Sequence, residues 1–264
     1  MTARGQFRIL PSALAGVQVV AADSAHAFAR HTHETFGIGL VERGAQTSLS
    51  GRGMVEAGAG DVITVNPGEV HDGAPIGEAG RAWRMLYIDP AVIADTVADI
   101  APATRTFELH DPVLADPRIA ARVSRLLSAA SDSGSEALLL ALVADVLRRQ
   151  EGQVLDTRSF ATIAAARARI DDDPAMPVSL AELARLAGLT RFQVLRAFAR
   201  ETGLTPHAYQ VQRRIDLARR LMAGNMPLAE AALAAGFADQ AHMTRVFTRK
   251  YGLTPAAYRA ARLQ

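Results

Sequence analysis

Two segments in the second half of the chain are copies of one pattern. Ala187-Gly188-Leu189 recurs as Ala235-Gly236-Phe237, and Gly203-Leu-Thr-Pro-His-Ala-Tyr209 recurs as Gly252-Leu-Thr-Pro-Ala-Ala-Tyr258. The offset is 48 or 49 residues throughout, and it matches turn glycines as well as aromatic residues, which chance rarely does. With only two copies, the pattern predicts a duplicated helical motif and not a solenoid.

The first copy predicts two helices joined by a short turn. Ser179-Leu-Ala-Glu182 and Thr190-Arg-Phe-Gln193 are both capping boxes, in which the hydroxyl accepts from a backbone N–H three residues on and the Glu or Gln reaches back. The helices that they begin are predicted over 180–187 and 191–202, and Gly188 permits the turn between them. Such a turn is typical of a helix-turn-helix, whose second helix enters the major groove of DNA.

Proline predicts where the next helix begins. Thr205-Pro206 places proline at the first helical position, where its missing N–H costs nothing, and the helix is predicted to run to about Ala223.

The second helix of each copy has a core face and an outer face. The residues spaced for the core are Val194, Phe198, Met243, Val246 and Phe247. The residues left for the outer face are Arg191, Phe192, Leu195, Arg196 and Arg200 in the first copy and Gln240, Ala241, Thr244, Arg245 and Arg249 in the second. Arg can bond guanine bidentately and Gln adenine, while Ala, Thr, Phe and Leu can touch a thymine methyl group. This composition favours DNA contact over a helical bundle with solvated arginines.

The charge distribution favours the same interpretation. Residues 1–160 hold 14 basic and 19 acidic side chains, whereas residues 161–264 hold 15 basic and 8 acidic ones. A basic second half indicates a polyanionic partner. A solvated basic surface is the alternative that charge alone leaves open.

Residues from about 160 to 264 resemble the DNA-binding domain of the AraC/XylS family. The matching stretches are Ser179–Gly188, Phe198–Gly203, Ala229–Phe237 and Phe247–Tyr258. The resemblance implies two helix-turn-helix units, over about 180–202 and 228–251, that enter successive major grooves of double-stranded DNA. The residues that it implies face bases are Phe192, Leu195 and Arg196 in the first unit and Gln240, Ala241, Thr244 and Arg245 in the second. Nearby arginines, Arg191 among them, would hold phosphates.

The first half of the chain predicts strands and then helices. Short β-favouring runs at 17–20, 36–41, 61–66 and 83–88 are separated by glycine-rich turns, as in a sandwich or barrel. Helical spacing follows at 91–100, 117–130 and 135–149. The last helix is apolar on nearly all sides, which buries it either in its own domain or between two chains. The predicted fold class is therefore α+β, with an N-terminal barrel followed by helices and an all-α C-terminal domain.

Three histidines mark a candidate site in the first half. His31-Thr-His33 puts two imidazoles on one face of a strand, and His71 follows Asn66-Pro-Gly-Glu-Val70. Over roughly residues 15–90 these blocks resemble the two motifs of a cupin barrel, whose histidines meet inside. AraC-type regulators have such barrels as effector-binding domains.

The resemblance to cupins also raises the question of whether the histidines bind a metal ion. Metal-binding cupins carry a carboxylate three or four residues past the second histidine, where this chain has Gly37 and Ile38. We therefore expect no metal and no cofactor. His31, His33 and His71 are expected to line a small-molecule pocket or to hydrogen-bond within the barrel, although neutral imidazoles also suit a transition metal.

The β-favouring run at 83–88 contains two further candidates for effector-binding residues. Side chains alternate along it, so either Trp83 with Met85 or Arg84 with Leu86 faces the barrel interior. Trp83 would form an apolar wall of an effector pocket, and Arg84 would clamp a carboxylate. The sequence does not choose between them.

These predictions give three segments. Residues 1–150 form a cupin-like ligand-binding domain that ends in dimerisation helices, residues 151–159 a linker, and residues 160–264 the DNA-binding domain. No run reaches the ~20 apolar residues of a membrane span, and no signal peptide opens the chain. Cysteine is absent, which excludes disulfides and thiolate chemistry. A cytoplasmic location is expected.

The leading functional hypothesis is a homodimeric transcription regulator of the AraC type, more commonly an activator in that family. A small-molecule effector in the barrel would control DNA binding or activation by binding two states unequally, and RNA polymerase is a further expected partner. We expect no enzymatic activity, because no catalytic motif is present. The alternatives are a metal-dependent cupin enzyme with a helical DNA-tethering domain and a constitutive DNA binder whose barrel binds nothing.

Overall fold

The computed structural model describes residues 5–101, 107–132, 134–150 and 163–262. The chain divides into two compact units at about residue 154. The linker predicted over 151–159 lies outside the described residues. Among the helices within those ranges, none is long and apolar enough to cross a membrane.

Ten strands of the first unit form two antiparallel sheets. The strands are β1 (Gln6–Leu10), β2 (Val17–Ser24), β3 (Phe28–His31), β4 (Phe36–Arg43), β5 (Ala45–Ser50), β6 (Gly53–Gly58), β7 (Val62–Val65), β8 (His71–Pro75), β9 (Arg81–Ile88) and β10 (Val113–Leu114). One sheet has the order β1-β2-β9-β4-β7-β10, and the other has the order β3-β8-β5-β6. The four predicted strands are confirmed within β2, β4, β7 and β9.

The six-stranded sheet is apolar on both faces. Leu86 and Ile88 of β9 lie in a core with three helices, α1 (Pro90–Ile100), α2 (Pro117–Ser128) and α3 (Ser135–Gln150). Burial of each such side chain stabilises the fold by about 1.5–3 kcal/mol. Trp83 and Met85 of the same strand face the other way, into a cluster with aromatic residues of β1 and β3. The three predicted helices are confirmed.

The second unit is helical. Its helices are α4 (Ala164–Asp172), α5 (Leu180–Ala187), α6 (Arg191–Thr202), α7 (Pro206–Ala223), α8 (Leu228–Ala234), α9 (Gln240–Tyr251) and α10 (Pro255–Arg262). The predictions for α5, α6 and α7 are confirmed. All five residues predicted for the core are buried, in one cluster around Phe198 and another around Phe247.

The helix starts follow the capping prediction with one exception. Thr190 and Gln193 form a complete capping box at α6. At α5 the Ser179 hydroxyl accepts from the Glu182 N–H at 3.1 Å. The Glu182 carboxylate does not reach back, because it accepts from Arg169 Nε of α4 at 2.9 Å. The second half of the predicted box at Ser179 is therefore wrong, and the ion pair ties α4 to α5.

The turn of the second copy requires glycine at position 236. Gly236 has a φ of 82°, and a Cβ atom there would lie 2.5 Å from the carbonyl oxygen of Ala175. A left-handed backbone and so close an approach both exclude a side chain. The turn between α8 and α9 is thereby held against the segment that precedes α5.

Candidate functional site

Helix α6 exposes an unusual combination of side chains. Val194, Ala197 and Phe198 are buried on its inner face. Phe192 is 66% exposed and Leu195 is 37% exposed on the outer face. Arg191 and Arg196 are also exposed there, and the Arg196 guanidinium lies 5.7 Å from the centre of the Phe192 ring. An exposed aromatic ring beside two guanidinium groups is suited to contact base edges and phosphates.

Helix α9 presents the corresponding face with a different composition. Gln240, Ala241 and Arg245 are exposed, and Thr244 is half-buried. The helix begins at a side-chain cap, in which Asp239 accepts from the His242 N–H. The structure thus places all eight predicted DNA-contact residues on the outer faces of α6 and α9.

A polar network along α7 joins α4 to α9 and α10, and the sequence did not predict it. The Tyr209 hydroxyl donates to Asp171 of α4 at 2.8 Å, and burial raises the pKa of Tyr209 above its ordinary value. Arg213 pairs with the same carboxylate at 2.9 Å and with Asp216 at 3.4 Å. Asp216 is fully buried, and Arg219 lies 3.9 Å from it on the side of α9 and α10.

Arg219 completes this network. Its guanidinium donates to the hydroxyl groups of Tyr251 in α9 and Tyr258 in α10 at 3.3–3.4 Å. Burial opposes its charge, but the two tyrosines and Asp216 outweigh burial and raise the pKa of Arg219. Tyr209 and Tyr258 occupy equivalent positions in the two copies. This repetition is the sequence signal that could have indicated that each tyrosine hydroxyl makes a polar contact with another helix.

The structure brings His31, His33 and His71 together in the barrel. One ring nitrogen from each histidine lies within 4.8 Å of those of the other two, and His31 faces His71 across the β3–β8 pair with ring centres 4.4 Å apart. His33 also contacts Tyr87 of β9, at 4.8 Å between ring centres.

Backbone carbonyls hold two of the rings in one tautomer. His31 Nδ1 lies 2.8 Å from the Ala29 oxygen, and His71 Nδ1 lies 3.1 Å from the Glu69 oxygen. A carbonyl can only accept, so each Nδ1 carries the proton. Burial lowers the pKa of His71 despite the raising effect of Glu69, which favours the neutral ring.

These three imidazoles are a donor set that could hold a transition metal. Within the described part of the chain, no carboxylate joins the cluster. The absence of a metal therefore stays a prediction, as does the assignment of these histidines to an effector pocket.

The structure decides between the two predicted candidates on β9. Trp83 is buried on the inner face, with Met85 and Tyr87 beside it. Arg84 lies on the opposite face, where its Nε is 2.5 Å from Glu42, so it cannot line the same interior as the histidines. The proposal that Arg84 clamps an effector is wrong for this reason.

The inward-facing arginine is Arg81, which the sequence interpretation missed. Arg81 lies two residues before Trp83, on the same face of β9, and it is 1% exposed. The predicted strand began at Trp83, two residues too late. Extending the alternation backwards from Trp83 would have found it.

Comparison with known proteins identifies two different families of domain in this chain. Residues 15–147, half of the chain, match the family described as AraC-like ligand binding domain. Residues 183–261 match a helix-turn-helix domain.

Related proteins point to the same class. YbfI of Bacillus subtilis (strain 168), an uncharacterized HTH-type transcriptional regulator, is 25% identical over 227 residues, which are 82% of this chain and 81% of YbfI. The probable transcriptional regulator LumQ of Photobacterium leiognathi is 37% identical over 69 residues, 26% of this chain and 28% of LumQ.

A solved structure shares the fold. Fatty-acid-bound ToxT from Vibrio cholerae strain SCE256 superposes with a TM-score of 0.63 at 13% identity, covering 95% of this chain and 97% of ToxT. Together with the family match over half of its length, these findings show that the chain belongs to the AraC family of transcriptional regulators, with an N-terminal ligand-binding domain and a C-terminal helix-turn-helix domain.

Proposed function

We propose that α6 and α9 are the helices that read bases, through Arg191, Phe192, Leu195 and Arg196 and through Gln240, Ala241, Thr244 and Arg245. The observation that carries this proposal is the outer face of each helix. Two copies of one motif bury equivalent core residues and place these side chains on the outer face, where all are exposed except the half-buried Thr244. Residues 160–264 would then be the DNA-binding domain.

Residues 1–150 would bind the effector. The proposed pocket is the interior of the barrel around His31, His33, His71 and Trp83. Supporting this assignment, the three histidines converge beside the buried Trp83 ring and partly buried aromatic rings instead of dispersing over the surface. A crystal structure of ToxT contains an unsaturated fatty acid, and for this chain we infer only that a small molecule binds.

The proposal includes a homodimer that activates transcription from the cytoplasm by contacting RNA polymerase. Helix α3 buries Leu139, Leu142 and Val143 in its own unit, so its apolar character is largely used within one chain. Leu140 on the same helix is 41% exposed and is available to a second copy. Light scattering of the purified chain tests the homodimer directly. A mass of one chain without DNA, together with one chain per duplex when DNA is added, contradicts it.

A DNA-binding titration tests the base-reading helices. The operator is first selected from a random duplex library and then titrated at two salt concentrations against random competitor. We expect Arg245→Ala to weaken operator binding about 5- to 150-fold and to relax the preference at one base pair, as loss of a bidentate contact worth ~1–3 kcal/mol requires.

The matched control is Arg8→Ala, which removes the same charge from an exposed position of β1 in the other unit. It should leave operator binding unchanged. If Arg245→Ala weakens random DNA as much as the operator, α9 does not read bases.

A further inference from the structure

The interior of the barrel holds a positive charge that no acidic side chain balances. Arg81 is 1% exposed on the inner face of β9. Its guanidinium lies 4.8 Å from the Trp83 ring centre and 5.4 Å from that of Phe28. The Phe28 ring also contacts His31, at 6.2 Å between ring centres. The charge therefore lies in the aromatic cluster that borders the three histidines.

All the hydrogen-bond partners of Arg81 are neutral. Its Nε donates to Gln46 Oε1 at 2.7 Å, Nη1 to the His26 carbonyl at 3.2 Å and Nη2 to the Gly73 carbonyl at 3.2 Å. Throughout residues 5–101, 107–132, 134–150 and 163–262, no Asp or Glu oxygen lies within 4.0 Å of the guanidinium. A guanidinium has five N–H groups, so two are left for another acceptor.

This arrangement is costly for the free protein. Burial lowers the pKa of Arg81 to about 10, so the group still carries its charge at neutral pH. An ion taken out of water costs several kcal/mol unless an opposite charge offsets the loss. Neutral acceptors offset part of that loss, and aromatic faces add a weaker attraction. An anion that entered the cluster would offset the rest.

We propose that the effector of the barrel is a small organic carboxylate with an apolar body, and that Arg81 binds its carboxylate group. The two unused N–H groups of the guanidinium would form charge-assisted hydrogen bonds to the carboxylate, and Phe28 and Trp83 would contact the apolar body. This inference rests on the proposed function, because it names the class of molecule that the barrel is proposed to bind.

Thermal unfolding of the full chain with matched pairs of compounds tests the proposal. The pairs are benzoate and benzamide, phenylacetate and phenylacetamide, and octanoate and octanamide, with arabinose as a neutral polyol and inorganic phosphate as an anion without an apolar body. We expect at least one acid to raise the unfolding midpoint while its amide, arabinose and phosphate do not. Equal shifts by an acid and its amide overturn the proposal, as does a panel in which no acid shifts the midpoint.

Two variants assign the effect to Arg81. Arg81→Met should weaken binding of the acid about 10- to 100-fold, the loss expected for a hydrogen bond to a charged group. Arg84→Met is the matched control, because it removes an arginine from the opposite face of the same strand and should leave binding unchanged. Retained binding in Arg81→Met overturns the proposal.

Gln46→Glu keeps the proposal testable if Arg81→Met does not fold. It retains Arg81 and places a carboxylate where the amide oxygen now accepts from Nε, so the built-in carboxylate should displace the external one and abolish the midpoint shift. An undiminished shift overturns the proposal. Operator binding measured on the same samples separates the two hypotheses, since it tests the proposed function whether or not the acids bind.

Discussion

The barrel and the helical unit each bury a charged side chain, but they surround it differently. In the helical unit the most deeply buried charge is Asp216, with Arg213 at 3.4 Å and Arg219 at 3.9 Å. In the barrel it is Arg81, whose hydrogen bonds all go to neutral acceptors. Asp216 thus has its counter-charges within the chain, whereas Arg81 has none among the described residues.

This difference separates two uses of a buried charge. A charge that is balanced internally holds elements together, and Asp216 does so through Arg219, which bonds to tyrosines of α9 and α10. A charge that is left unbalanced costs stability and gives affinity for a ligand of opposite sign. The comparison therefore gives three predictions for the free energy of unfolding. Removing the charge of Asp216 should lower it strongly, and giving Arg81 a counter-charge should raise it. Removing the charge of Arg81 should change it little.

Asp216→Asn should have the largest effect. It leaves Arg213 and Arg219 without their buried carboxylate, and breaking a buried ion pair on one side costs about 3–5 kcal/mol. Urea unfolding of the full chain measures the loss in the free energy of unfolding. Asp23→Asn, which breaks an exposed pair with Arg43, should cost less than about 1 kcal/mol. If both variants lose equally little free energy of unfolding, Asp216 has no structural role, and the contrast between Asp216 and Arg81 is wrong.

Gln46→Glu should stabilise the free barrel. The new carboxylate would accept from Arg81 Nε across the present 2.7 Å contact, and a hydrogen bond between two charged groups is worth about 1–2 kcal/mol more than the present bond to an uncharged amide. The midpoint of thermal unfolding without ligand reports the gain. Gln6→Glu, on exposed β1, controls for the added charge. A destabilised Gln46→Glu barrel would mean that the charge of Arg81 is already balanced.

Lys250 tests the helical network through pH. Burial lowers its pKa from 10.5 to about 8, although Asp216 opposes the shift. The unfolded chain then holds a proton that the folded chain has released, so the free energy of unfolding should rise by about 1–1.5 kcal/mol from pH 8 to 9.5. Tyr209 and Tyr251, whose pKa values are raised, act with the opposite sign only above pH 10. Lys250→Met should abolish the rise, and a rise that persists in this variant has another source.

Arg81→Met should change the stability of the free protein least, by less than about 1 kcal/mol. The variant loses three hydrogen bonds to neutral acceptors, and it also removes the desolvated charge, so the two effects largely cancel. Urea unfolding beside Asp216→Asn gives the contrast directly. A loss near 3 kcal/mol would place Arg81 in the same structural class as Asp216.

The fold was predicted where side-chain pattern alone determines the element. The repeat gave the bounds of α5, α6 and α7, because caps and glycine turns are local signals. The strands β5 and β6 escaped prediction because Ala45–Ser50 and Gly53–Gly58 are polar or small and lack clear alternation. Their pairing with each other and with β8 makes them strands, and such pairing cannot be read from one segment.

The candidate site was predicted only where local side-chain pattern determines it. The three histidines and the outer faces of α6 and α9 follow from residue type and spacing. The choice between Trp83 and Arg84 stayed open, and Arg81 was missed, because both depend on where β9 begins and which face it buries. The α7 network joins Asp171 to residues about 40 positions away, so only the tertiary structure brings its members together.

Helix α7 gives the DNA-binding unit a fixed length. Its 18 residues span about 27 Å, and polar contacts hold one end to α4 and the other to α9 and α10. If α6 and α9 read bases as proposed, a stiff helix between them makes binding depend on the distance between the two sites as well as on their sequence. One base pair inserted between two half-sites would turn the second by about 35° around the duplex axis, given 10–10.5 base pairs per turn. On the proposed function, an operator for this chain is therefore defined by the phasing of its half-sites as much as by its bases.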